Sequence, residues 1–152
     1  MMESFEIAFN DITSEELLDI HLQCDNDFIP RLSSRVDIKE YTKKLFDNAS
    51  FVLIKTNNSI SGVVALYCND FEKYTAYISS VCIKMEFRGL KYGTVLITET
   101  IKYSKNIGMK SVMLEVSKEN IIAYNLYLKH GFAIQADNGE HLIMKKVIGD
   151  GE

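Results

Sequence analysis

From Val81 to Thr94 the chain passes from an apolar run through an Arg88-Gly89 turn into a helix start, and that combination can hold an anion. The first N–H groups of a helix have no intrahelical partner and the helix dipole adds partial positive charge there, so a phosphate needs no dedicated side chain. The candidate cradle is Arg88, Gly89, Leu90, Lys91, Tyr92, Gly93 and Thr94, with Gly89 and Gly93 keeping Cβ atoms out of the approach. A second group lies earlier: Arg31 and Arg35, four residues apart, with Ser33 and Ser34 between them. These donors could clamp a carboxylate or a phosphate, and their plainer reading is a helix connector with surface arginines.

Composition narrows what that phosphate belongs to. A chain of 152 residues with 47% apolar content can build a single core, and one domain over residues 1–148 with a tail at 149–152 is expected. A net charge of −4 with no clustered Lys/Arg excess argues against a nucleic-acid partner. No apolar stretch approaches membrane-spanning length, and Met1-Met2-Glu3-Ser4 shows no basic segment followed by an apolar run, so a cytoplasmic protein without a membrane partner is expected. Cys24, Cys68 and Cys82 are odd in number, far apart and form no C-x-x-C, which fits reduced thiols. His21, His130 and His141 form no metal-ligand pattern, so no metal is expected.

The elements that must position these residues can be read in order. Ser4 to Phe9 alternates as a strand does. Asp11 to Glu16 brings a hydroxyl cap candidate and first-turn acids into a helix ending near Cys24 to Asp27, and a connector with the only proline, Pro30, leads to a second helix over Asp37 to Asn48. Phe51 to Lys55, Ile60 to Tyr67 and Tyr74 to Lys84 form an antiparallel meander through short polar turns. A helix over Lys91 to Ile107, a strand over Ser111 to Val116, a helix over Asn120 to Lys129, and strands over Phe132 to Ala136 and His141 to Val147 complete the chain. The last strand, if exposed, could pair two copies edge to edge as a homodimer.

This order, with the glycine turn after the fourth strand, resembles the GNAT superfamily of N-acetyltransferases over nearly the whole chain. The family signature R/Q-x-x-G-x-G/A is met at Arg88 and Gly93, while Lys91 stands at the usual middle glycine. A lysine there still offers its N–H provided its φ is negative. A second motif, N-x-x-A-x-x-L-Y-x-x-x-G-F, is matched by Asn120, Ala123, Leu126, Tyr127, Gly131 and Phe132. The resemblance implies a mixed α/β fold: a mainly antiparallel sheet of about seven strands and about four helices, with strands 4 and 5 splayed apart.

It also implies a chemistry: acetyl-coenzyme A donates its acetyl group to the primary amine of a small molecule, an amino sugar among the candidates. The pantetheine arm would pair with the backbone of Val81, Cys82 and Ile83, and the pyrophosphate would sit on Arg88 to Thr94. Tyr127 would protonate or hydrogen-bond the leaving thiolate, the alternative being a tyrosine packed in the core. Asn120 would bond the pantetheine arm, cap its helix, or both. Glu115, Tyr67, Asp70, His141, Glu140 or a water relay could take the proton of the amine. The acceptor pocket would draw on Arg31, Ser33, Arg35 and Glu115.

Two rival readings share the cradle: a non-catalytic acyl-coenzyme A-binding regulatory module, and an acetyltransferase acting on protein N-termini or lysines. A dinucleotide-binding domain would place the glycine turn after an early strand in a repeating βαβ context, which the meander contradicts.

Overall fold

Local capping places the helices. The Thr13 hydroxyl accepts from the Glu16 N–H at 3.1 Å while the Glu16 carboxylate accepts from the Thr13 N–H at 2.9 Å, and this reciprocal cap opens helix α1, Ser14–Gln23. The Asp37 carboxylate caps α2, Ile38–Asn48, by accepting from the Glu40 N–H. Helix α3, Tyr92–Asn106, differs, because it begins at Lys91 with no side-chain cap. Asn120 caps α4, Ile121–Lys129. The coordinates are a computed structural model that describes residues 4–149, so Met1 to Glu3 and residues 150–152 of the expected tail lie outside the described residues.

Seven strands form one sheet: β1 Glu6–Phe9, β2 Ser50–Thr56, β3 Ser59–Tyr67, β4 Thr75–Ile83, β5 Ser111–Ser117, β6 Ala133–Asp137 and β7 His141–Val147, in the order β1-β2-β3-β4-β5-β7-β6. Every neighbouring pair is antiparallel except β4 with β5, which is parallel. The mixed, mainly antiparallel sheet with four helices is therefore the fold of the chain. The last strand is not an edge. β7 buries Leu142 and Met144 and inserts between β5 and β6, leaving the open edge to β6, whose five residues are all exposed.

Two apolar layers cover the sheet. On one face Leu96 and Ile97 of α3 and Tyr127 of α4 pack with Val52, Val64, Ile78, Leu114 and Met144. On the other, Leu17 and Ile20 of α1 and Leu45 of α2 pack with Leu53, Val63 and Ala65.

Strand β4 changes parity midway. Leu66 pairs with Ile78 and Ala65 with Ser80, so Ser79 is one residue more than β3 can match, a β-bulge. Before it, Ala76 and Ile78 point into the α3/α4 layer; after it, Val81 and Ile83 take that side and Cys82 packs among α1 and α2. The side chain of Tyr41 on α2 holds the bulge, its hydroxyl lying 2.7 Å from Ser79 Oγ and donating to the Ser79 carbonyl at 3.2 Å.

Candidate functional site

The parallel pairing of β4 with β5 runs only from Thr75/Ser111 to Ile78/Leu114. Beyond that point the strands part, and the gap starts at the bulge. The Lys84 N–H donates to the Ser61 carbonyl of β3 at 2.9 Å, so by strand alternation the polar backbone groups of Cys82 also face β3 and those of Val81 and Ile83 face the gap. Cys82 thus turns its backbone to β3 and buries its thiol, 1% exposed. The Ile83 carbonyl is already engaged, accepting from Arg88 Nε and Nη2 at 3.3 Å each and from the Cys24 thiol at 3.5 Å. The groups left for an added strand are those of Val81 and the Ile83 N–H.

A cleft of about 750 Å³ occupies the gap and passes through the sheet from one layer to the other. On the α3/α4 side it is lined by Gly89, Lys91, Tyr92, Gly93, Thr94, Asn120 and Tyr127. Leu90 does not line it and packs against the core instead. Tyr92 anchors the helix start: it is 1% exposed, its ring stacks on Phe87, and its hydroxyl lies 3.1 Å from Thr56 Oγ1. Gly93 has little room, since a Cβ there would meet Leu126 at 3.3 Å. With no side-chain cap on α3, the N–H groups of its first turn are aimed at this part of the cleft.

Lys91 departs from the sequence expectation of a negative φ: it sits at φ +65°, ψ 21°, in the left-handed region. The turn makes the demand, because it needs two left-handed residues, Gly89 at φ +79° and Lys91, to swing the chain from β4 into α3. A conformation that glycine adopts without steric cost is thus borne here by a lysine.

Tyr127 lines the cleft, packs its ring edge-on against Phe132 at 5.8 Å between centroids, and has its phenol pushed up to about 12 by burial. At neutral pH it therefore keeps its proton. No hydrogen-bond partner for its hydroxyl is found among the described residues. Asn120 combines both sequence readings: its Oδ1 accepts from the Ala123 N–H at 3.2 Å while the residue lines the cleft, leaving the amide NH₂ to donate.

Of the proton-acceptor candidates, Glu115 and His141 line the cleft, whereas Tyr67, Asp70 and Glu140 do not. Asp70 is a turn former, accepting from the N–H groups of Glu72 at 3.2 Å and Lys73 at 3.0 Å.

The arginine clamp is split. Asp25 accepts from the Ser33 N–H and hydroxyl, both at 2.7 Å, and attracts Arg31 at 3.8 Å, so Arg31 and Ser33 are used within the connector and do not line the cleft. Ser33 foremost holds the Asp25 carboxyl below the usual carboxylate range. Arg35 alone of the three reaches the cleft, on the α1/α2 side with Phe28, Tyr77 and Glu115.

Several lining residues have no motif to mark them. Asp27 pairs with Arg88 across the mouth. Ser80, 3% exposed, donates to His21 Nε2 at 2.9 Å, because His21 Nδ1 spends its proton on the Leu17 carbonyl at 2.8 Å. The one available signal was a histidine on the apolar stripe of α1, one position beyond the buried Leu17 and Ile20 pair.

Among the described residues no group of three or more His, Cys, Asp or Glu could hold a metal ion, and no helix is long and apolar enough to cross a membrane.

Comparison with known proteins agrees with this geometry. Residues 14–132 match the model of the acetyltransferase (GNAT) family. An uncharacterized N-acetyltransferase of Methanocaldococcus jannaschii is 36% identical over 90 residues, 57% of this chain and 40% of that protein. A spermidine N(1)-acetyltransferase of Thermoplasma acidophilum is 31% identical over 64 residues, 42% of this chain and 40% of that protein. The chain spans about two-fifths or less of the length of the curated relatives it matches. Among solved structures, the PaiA N-acetyltransferase of Thermoplasma acidophilum in complex with coenzyme A superposes with a TM-score of 0.77 at 20% identity, covering 95% of this chain and 99% of that one.

Proposed function

The chain belongs to the acetyltransferase (GNAT) family, and from that premise we propose that it transfers an acetyl group from acetyl-coenzyme A to the primary amine of a small molecule. The observation that carries this is the parting of β4 from β5 after Ile78 and Leu114, which leaves a through-sheet cleft with a helix N-terminus at one side and a protonated phenol inside. A cleft of about 750 Å³ has the size for a pantetheine arm and a small acceptor together. The uncapped first turn of α3 suits a pyrophosphate, and Gly93 puts no side chain at that turn, where a Cβ would crowd Leu126 at 3.3 Å.

Acetyl-coenzyme A, when bound, supplies the acetyl thioester. The chain's own residues then do three things. Val81 and the Ile83 N–H hold a strand-like arm in the gap. Glu115 or His141, directly or through water, takes the proton that an incoming ammonium must lose before its nitrogen can attack the thioester carbon. Tyr127 gives a hydrogen bond or its proton to the sulfur as the C–S bond breaks, and the second amine proton leaves as the amide forms. The net products are one amide, one free thiol and one proton. Holding amine and thioester together supplies a further part of the rate. The three cysteines are free, which suits a reducing compartment such as the cytoplasm.

The test is calorimetric titration with acetyl-coenzyme A followed by thiol release against amino sugars, polyamines, amino acids and peptides. Binding with turnover on a small amine supports the reading. Turnover on peptides alone moves the acceptor to protein N-termini or lysines, and binding without any thiol release favours a regulatory acyl-coenzyme A-binding module.

A further inference from the structure

The charges that line the cleft fall into two groups. Asp27 and Arg88 neutralise one another, and Lys91 stands at the start of α3 on the cradle side. On the α1/α2 side, Arg35 and Glu115 both line the cleft, and neither has an ion-pair or hydrogen-bond partner among the described residues. In this they differ from Asp27 and Arg88, which are paired with each other at the mouth of the same cleft. The neighbouring Arg31 is paired with Asp25, and Lys118 with Asp137.

Topology explains why the two charges face one space without meeting. Glu115 lies between Leu114 and Val116, which point into the α3/α4 layer, so its side chain takes the opposite face. Tyr77 precedes Ile78 on β4, with Met113 as its register partner on β5, and so shares that face with Glu115. Arg35 closes the single 3-10 turn Leu32–Ser34 of the connector and lines the cleft from there. Tyr77 senses both charges: burial raises its hydroxyl, Glu115 raises it further, and Arg35 pulls it back.

We propose that the acceptor is a zwitterion of the amino-acid kind, its amine received at Glu115 and an oxyanion group received by Arg35. This deepens the acetyl-transfer reading and rests on it. A carboxylate placed where the ammonium enters attracts the amine and can take its proton. A planar guanidinium offers two parallel donors to a carboxylate or a phosphate. A polyamine lacks the oxyanion and would bring cationic charge against Arg35. The guanidinium of Arg35 suits a carboxylate and a phosphate alike, so amino carboxylates and aminoalkyl phosphates are separate arms of the test.

The experiment measures acetyl-coenzyme A binding by calorimetry, then thiol-release kcat/KM for an amino acid, its amide, an aminoalkyl phosphate, a diamine and spermidine. It uses the parent chain, Arg35→Met, Glu115→Gln and Arg31→Met, the last changing an arginine outside the cleft. The expected result is a preference of about tenfold or more for the oxyanion-bearing acceptors, read mainly in KM. Arg35→Met abolishes that preference without lowering the rate on the amide, Glu115→Gln lowers turnover of every amine, and Arg31→Met matches the parent. The better of the carboxylate and phosphate arms names the oxyanion. Equal or better turnover of the amide, the diamine or spermidine overturns the zwitterion assignment and leaves acetyl transfer standing, as does a preference that survives Arg35→Met. Binding without turnover of any acceptor overturns the assignment too. Failure of acetyl-coenzyme A to bind overturns the acetyl-transfer reading, and the assignment with it.

Discussion

The guanidinium of Arg88, at the end of the turn that leaves β4, is held by the carboxylate of Asp27, 61 positions earlier in the connector after α1. The same guanidinium caps the Ile83 carbonyl. The pair therefore ties the acceptor side of the cleft to the cradle, and it sets Asp27 in competition with any phosphate for Arg88. Both side chains are about two-fifths exposed, so the pair itself adds little to stability, about 0–1 kcal/mol. Asp27→Asn is expected to leave the melting temperature nearly unchanged and to tighten acetyl-coenzyme A binding about threefold by calorimetry. Weaker binding in this variant would mean that Asp27 shapes the cradle and does not compete with it.

Lys91 offers a cleaner stability test. Its φ of +65° costs a side-chain-bearing residue about 1–2 kcal/mol, part of which a glycine would give back as unfolded-state entropy. Lys91→Gly is expected to raise the urea-unfolding free energy by up to about 1 kcal/mol. Lys91→Ala, which keeps the Cβ, should show no such gain.

Tyr127 should separate binding from chemistry. With a phenol kept protonated by burial and lacking a partner among the described residues, Tyr127→Phe is expected to lower kcat about a hundredfold while changing the acetyl-coenzyme A dissociation constant little. An unchanged kcat would return the residue to core packing with Phe132.

The same phenol carries a pH signature. Its pKa rises from 10 in the unfolded chain to about 12 in the fold, so the folded state binds the proton more tightly. That contribution is fully present below pH 10 and is lost as pH rises toward 12, about 3 kcal/mol in all. The parent chain should therefore lose stability more steeply than Tyr127→Phe between those pH values.

His21 acts at the other end of the scale. Burial, partly offset by the bond to the Leu17 carbonyl, lowers its pKa below the ordinary 6.5, so the unfolded chain takes up the proton first. Stability is held above pH 6.5 and declines as pH falls through the folded value. In chemical denaturation, His21→Gln should show a shallower acid decline than the parent, and an equal slope would assign that decline to other groups.

The sequence by itself determined the element order, a hydroxyl cap within Asp11 to Glu16, the cap at Asn120, and the strand-to-helix turn with its glycines. These are local matters, written in neighbouring residues as hydrogen-bonding side chains, hydrophobic period and permitted φ. The two motifs also brought Tyr127, Asn120 and Gly93 to the cleft, because each is a short spacing on one element.

The tertiary structure alone decided the rest. The sign of φ at Lys91 follows from how far the turn must swing between β4 and α3. Cys82 faces β3 because a bulge at Ser79 shifts the parity of β4, and a bulge exists only relative to a partner strand. Arg31 and Arg35 look equivalent in sequence, and Asp25 separates them by binding one side of the connector. The shared cleft of Arg35 and Glu115, the Asp27 and Arg88 pair, and the Ser80 and His21 bond each bring together residues tens of positions apart. Such relations depend on which segments pack together, and a spacing along one chain carries no record of that.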